Sequence, residues 1–76
     1  MNEDILLVHT SGHAFSIERV MKKRGIPCRI TPIPRNVSSD CGVCIRFPED
    51  KRAEVEKLTA KLPFETAGIL TPEEYA

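Results

Sequence analysis

Prolines at positions 27, 32 and 34 bracket and punctuate the segment Cys28 to Pro34, which otherwise alternates in polarity as a strand does. Proline has no backbone N–H to give to a ladder, so a strand that carries it lies at the edge of a sheet. That restriction fixes one boundary of any sheet the chain builds, and other segments must fill the interior. Ile5-Leu6-Leu7-Val8 is apolar throughout and ends at His9-Thr10-Ser11-Gly12, which suits a central strand buried on both faces, followed by a turn. Val43, Ile45 and Phe47 alternate with Cys44 and Arg46 and stop at Pro48-Glu49-Asp50, which reads as a third strand. Phe64 to Leu70 supplies a fourth.

Helical spacing separates these strands. From Ser11, read as an N-cap, Ala14, Ile17, Val20 and Met21 recur on one face, and Lys22-Lys23-Arg24-Gly25 places cations and a C′ glycine where a helix stops. The acids after Pro48 open a second helix with Val55, Leu58 and Leu62 as its buried stripe, Lys57 and Lys61 toward its end, and Pro63 as its stop. Thr71-Pro72-Glu73-Glu74 has the form of a capped helical turn in the tail. The order βαββαβ implies an α+β, ferredoxin-like sandwich: a four-stranded antiparallel sheet in the spatial order 4-1-3-2, with two helices on one face. In that order the second strand is at an edge, as its prolines require.

Seventy-six residues make one domain, 1–76, with a core over about 4–70 and a short tail at 71–76. So short a chain buries only about 60% of its unfolded surface, and its core is thin. Eleven basic and eleven acidic residues cancel, which leaves no overall field to draw in nucleic acid or an anionic membrane. The longest apolar run, Ile5 to Val8, is too short for a membrane span or a signal peptide, so the expected compartment is the cytoplasm. In a reducing cytosol three cysteines, an odd number, read as thiols for redox, ligation or packing and not as a disulfide framework.

The chemistry expected of such a chain centres on Cys41, in the loop Ser38-Ser39-Asp40-Cys41-Gly42. The topology puts this loop at the pole where the first strand ends and the first helix begins, and a helix N-terminus favours a thiolate over a thiol. His13 in the first helical turn and His9 at the strand end are candidates to face the sulfur, and Arg35 and Arg46 would add positive charge if turned to the same pole. Gly42 lets the backbone approach a reactant closely. The alternatives are an idle loop cysteine at position 41, an exposed helix-start histidine at 13 and a structural histidine at 9.

Cys41-Gly42-Val43-Cys44 also spells C-x-x-C, but it enters a strand where a thioredoxin-type motif opens a helix. In an extended chain the two Cα atoms would be about 10 Å apart, too far for a disulfide. Cys44 and Cys28 therefore read first as small apolar strand residues, with Cys44 a second thiol only if the loop curls. No second ligand pair at zinc-finger spacing is present, and no metal or cofactor is implied. Lys22-Lys23-Arg24 and Glu49-Asp50-Lys51-Arg52 complement helix dipoles, although the first run would also suit an acidic partner.

Ser11-Gly12-His13-Ala14 with Glu18, Gly25-Ile26-Pro27, and the stretch from Pro34 through Cys41-Gly42 to Phe47 together resemble the selenium/sulfur carrier-like family of small bacterial proteins, over nearly the whole chain up to about Ile69. The resemblance implies a cysteine that carries sulfur or selenium as a persulfide or selenosulfide, with Cys41 at the matching position and donor and acceptor proteins as partners. A carrier, rather than an enzyme, fits a small domain with an exposed thiol. The competing expectation is a binding or regulatory module that dimerises through the helix-free face of the sheet, since both faces of the first strand are apolar.

Overall fold

The apolar run near the start of the chain becomes the middle of a sheet. In a computed structural model, which describes residues 2–37 and 41–75, the elements follow as β1 (Glu3–Leu7), α1 (Ser11–Lys23), β2 (Arg29–Pro32), β3 (Val43–Pro48), a 3-10 turn (Glu49–Lys51) running into α2 (Arg52–Thr59), β4 (Gly68–Leu70) and the short α3 (Pro72–Tyr75). Ser38, Ser39 and Asp40 of the cysteine loop lie outside the described residues. The four strands form one antiparallel sheet in the order β2-β3-β1-β4, which is the expected order read from its other edge. Leu6 pairs with Ile45 on one side and Ile69 on the other, while Pro32 sits opposite Val43 at the outer edge.

α1 ends as its sequence dictates. Gly25 has φ +74, the Gly25 N–H donates to Lys22 O and the Ile26 N–H to Met21 O, the paired bonds of a Schellman cap. Ile26 and Met21, joined by that cap, are both buried in the same cluster. The start differs by one residue from the expectation: Thr10 is the N-cap, its Oγ1 accepting the His13 N–H at 3.1 Å, and Ser11 is already helical. In the tail, Glu74 Oε1 accepts from both the N–H and the hydroxyl of Thr71, a capping box that opens α3. The Thr71 amide, and then its hydroxyl, hold the Glu74 carboxyl below its ordinary range.

Two elements are shorter than their sequences suggest. α2 stops at Thr59, so Leu62 is a half-buried residue of the following turn and not part of a helical stripe. The fourth strand is confined to Gly68–Leu70 because Phe64 leaves the ladder to stack on His13 from α1.

The sheet separates two apolar layers. On the side of α1 and α2, Leu6, Val8, Ile45 and Phe47 from the strands pack with Ala14, Ile17, Met21, Val55 and Leu58 from the helices. Asp4 points to the same side and is buried, its Oδ2 2.8 Å from Arg52 Nε at the start of α2. On the other side Ile5, Leu7 and Cys44 pack with Leu70, with Ile33 and Val37 from the β2–β3 connection, and with Tyr75 from α3. Tyr75 donates its hydroxyl to Glu3 O at 2.8 Å, and its ring lies under the Arg46 guanidinium, 5.3 Å from centroid to Cζ. The helix-free face is therefore covered by the chain's own loop and tail, and the exposed apolar sheet face that suggested a dimer is not there: Ile5 and Cys44 are 0% exposed and Leu7 is 8%. No helix is long and apolar enough to cross a membrane.

Candidate functional site

The β1–β3 pairing sets the position of Cys41. Its register ends with Leu7 opposite Cys44, and continuing it brings the residues before β3 level with those between β1 and α1. Cys41 accordingly lies beside the end of β1, where its Sγ donates to Val8 O at 3.4 Å and to Val43 O at 3.2 Å. The second contact folds the side chain back over its own chain, which the left-handed Gly42, φ +73, permits. A Cβ at Gly42 would meet no atom within 4 Å, so it is the backbone conformation and not a lack of room that calls for glycine. The Gly42 carbonyl accepts the Ile33 N–H at 3.0 Å and so anchors this turn to the edge strand.

Val8 O and Val43 O are both acceptors, and the sulfur between them is half-buried against the helix-side core. The first turn of α1 has meanwhile committed the His13 N–H to Thr10 Oγ1 and the Ala14 N–H to Thr10 O.

The other candidate residues are distributed around this pole. His13 is stacked face to face on Phe64, with ring centroids 3.7 Å apart and planes 8° from parallel, and its Nδ1 is buried with no hydrogen-bond partner among the described residues. His9 is exposed in the link between β1 and α1, and Arg35 is exposed in the turn that leads toward the cysteine loop. Arg46 is placed elsewhere, on the face away from the helices, where Nε donates to Thr31 Oγ1 at 3.1 Å and Nη1 to Tyr75 Oη at 3.4 Å.

The three thiols have three different environments. Cys44 is fully buried on the second face, with Sγ 3.4 Å from Thr31 Oγ1. Cys41 packs on the helix side and Cys44 on the opposite side, so the C-x-x-C pair straddles the sheet. Alternation along a strand is the reason, since an odd number of steps reverses the face. Cys28, just before β2, is half-buried near Glu18 O at 3.9 Å; burial and then the Glu18 carboxylate push its thiol up, and Lys22 offsets this only in part. Among the described residues no three His, Cys, Asp or Glu side chains are grouped to hold a metal ion.

The family model described as "Putative Se/S carrier protein-like" matches residues 3–71, from the first residue of β1 to the cap of α3. The chain belongs to this family. The matched span covers the whole sheet, both long helices and the Cys41 turn. No curated protein and no solved structure matches the chain.

Sequence reasoning missed Phe64, the residue that takes up His13, and Tyr75, which covers the second face. Neither carries a local signal, because a single aromatic in a polar segment has no periodicity to reveal what it will pack against. The Asp4–Arg52 pair did leave a trace: Asp4 shares strand parity with Leu6, which faces inward, and a buried carboxylate requires a cation.

Proposed function

We propose that this carrier-family chain holds sulfane sulfur, or selenium in the same oxidation state, on Cys41, and passes it between a donor and an acceptor protein. The observation that carries the reading is the contrast among the three thiols: Cys41 alone sits in a turn at the end of the sheet, beside a left-handed glycine, while Cys44 is sealed in a core and Cys28 is packed against Glu18. The arrangement of β1 to β4 in the ferredoxin-like order supports it by bringing the turn to the pole where α1 begins. A reducing cytoplasm is the compartment in which a lone carrying thiol stays available.

The transfer is a thiol–disulfide type exchange. Cys41 first releases its proton to water or buffer and leaves the Val8 and Val43 carbonyls, which need a donor and have nothing to offer a thiolate. The thiolate then attacks the outer sulfur of a donor persulfide; a new S–S bond forms on Cys41, the donor S–S bond breaks, and the donor departs as a thiolate. Delivery to the acceptor reverses these roles, and no net oxidant or reductant is used. Exposed Arg35 is the cation of the neighbouring turn suited to swing toward the charged sulfur, and the left-handed Gly42 shapes the turn that carries it. His13, held by Phe64, would serve by closing the start of α1 over the site.

The test is intact-protein mass measurement after exposure to inorganic polysulfide. The wild-type chain is expected to gain a sulfur that reductant removes, Cys44→Ser to gain it equally, and Cys41→Ser to gain none. Equal loading of Cys41→Ser, or an unmodified wild-type mass, would overturn the reading.

A further inference from the structure

α1 turns three sides to the protein and one to solvent. Ala14, Ile17 and Met21 face the core, His13 stacks on Phe64 along one flank, and Glu18, whose carbonyl meets Cys28 Sγ at 3.9 Å, lies on the other. Between the flanks runs a solvent face of Phe15, Arg19, Lys22 and Lys23, all exposed and spaced at i, i+4, i+7 and i+8. Phe15 is 58% exposed, the one large apolar side chain left open among the described residues.

The charge on this face is one-sided. α1 and its cap residue Arg24 hold four cations and one acid, Glu18, in a chain of zero net charge. Glu18 pairs with Lys22 at 3.6 Å, while Arg19 and Lys23 have no ion pair among the described residues. The helix dipole accounts for Lys22 and Lys23 in the last turn but not for Arg19, which stands midway along α1. The face also begins at the Cys41 pole: at 1.5 Å per residue Phe15 stands about 6 Å, and Lys23 about 18 Å, along the axis from Ser11. A single protein footprint of about 800 Å² covers both.

We propose that the solvent face of α1 docks an acidic protein, one with an apolar pocket for Phe15 bordered by carboxylates that meet Arg19 and Lys23, and that this protein is the partner served by Cys41. The remaining apolar residues of α1 are committed to the core, so the helix has a single ring to offer a lipid surface, and zero net charge gives no field to hold a nucleic acid. Opposite charges raise the rate of encounter, which suits a carrier that meets donor and acceptor in turn and leaves both. The partner's exchange at Cys41 rests on the carrier reading; the docking itself is measured without sulfur chemistry.

The experiment is an amide chemical-shift titration of the full chain, at low ionic strength, with a synthetic peptide of glutamate and leucine. Saturable shifts concentrated along α1 are expected. A glutamine–leucine peptide, which lacks the charge, and a glutamate–serine peptide, which lacks the apolar residues, are each expected to bind at least about fivefold more weakly, as is the parent peptide to a Phe15→Ser chain and to an Arg19→Glu, Lys23→Glu chain. These positions are exposed, and the spectrum itself reports whether each variant is folded. Shifts centred elsewhere, no saturation, equal binding in any of these controls, or tighter binding of the same face to phosphatidylserine vesicles or single-stranded DNA would overturn the proposal. A second arm gives the parent peptide a cysteine as its thionitrobenzoate mixed disulfide: the Cys41 thiolate attacks the peptide sulfur, the new S–S bond forms, and thionitrobenzoate leaves. Wild type is expected to react faster than either variant, and all three alike with the neutral 2-hydroxyethyl mixed disulfide; equal rates with the peptide would overturn the link between this face and the thiol. Silence of Cys41 toward both disulfides, with the α1 shifts intact, would sink the carrier reading and support the docking face alone.

Discussion

The two faces of the sheet are covered by different means, and Cys41 and Cys44 report on one face each. The helix side is closed by α1 and α2, whose stripes of Ala14, Ile17, Met21, Val55 and Leu58 were laid down by helical periodicity. The other side has no long helix; a connection carrying Ile33 and Val37 and a tail held by Tyr75 cover Ile5, Leu7 and Cys44. A core built by long elements loses stability in proportion to the apolar volume removed. A core covered by a tail is lost when one anchor lets go. The difference places the half-buried Cys41 thiol at the rim of the helix-covered layer and the buried Cys44 thiol beneath the tail-covered layer.

The comparison is broken most severely by Phe47→Ala. Phe47 is 0% exposed at the centre of the helix-side layer, and its loss is expected to cost about 3–5 kcal/mol, enough to leave a domain of this size largely unfolded. Urea denaturation measures it. A loss as small as that of a surface substitution would mean that the helices do not carry the core.

Tyr75→Ala sharpens it. Removing the ring over the second face and the bond to Glu3 O is expected to cost roughly 2 kcal/mol and, with the chain still folded, to open Cys44 to an alkylating reagent. Peptide mapping after brief alkylation distinguishes Cys44 from Cys41. Continued protection of Cys44 would show that the connection at Ile33 and Val37 covers the face alone.

A smaller effect belongs to the site end of α1. Thr10→Ala removes the side-chain acceptor of the His13 N–H and is expected to cost about 1 kcal/mol, with no change in the protection of Cys44. The smallest effect is a pH dependence at Cys28. Its thiol is raised by burial and by Glu18, so above about pH 8.5 the denatured chain ionises this group first, and the native state loses stability as pH rises. Cys28→Ala should flatten that slope in denaturation midpoints recorded between neutral and alkaline pH; an unchanged slope assigns it to another group.

Much of the architecture was legible because it rests on local rules. Pro32 excluded β2 from the sheet interior, and Gly25 with the preceding cations ended α1 where the Schellman bonds are found. The apolar run Ile5 to Val8 marked the strand that pairs on both sides. The site was legible only as far as topology reaches: the pole shared by Cys41 and the end of β1 follows from strand order, but the partners of the sulfur do not. A Phe64 expected to extend the last strand instead leaves it for His13, and Arg46 turns to Thr31 and Tyr75 because strand alternation puts it on the face away from the helices.

By itself, then, the sequence determined which segments are strands and helices, which strand must be outermost and which cysteine falls in a turn, because proline, glycine and apolar spacing act within a few residues. Only the tertiary structure decided that Val8 and Val43 carbonyls flank the Cys41 sulfur, that Cys44 lies across the sheet from it, and that Tyr75 returns to cover Ile5. Those contacts join residues far apart in the chain, and which of several equally apolar or polar partners meet is set by how the layers pack, a choice that local composition does not encode.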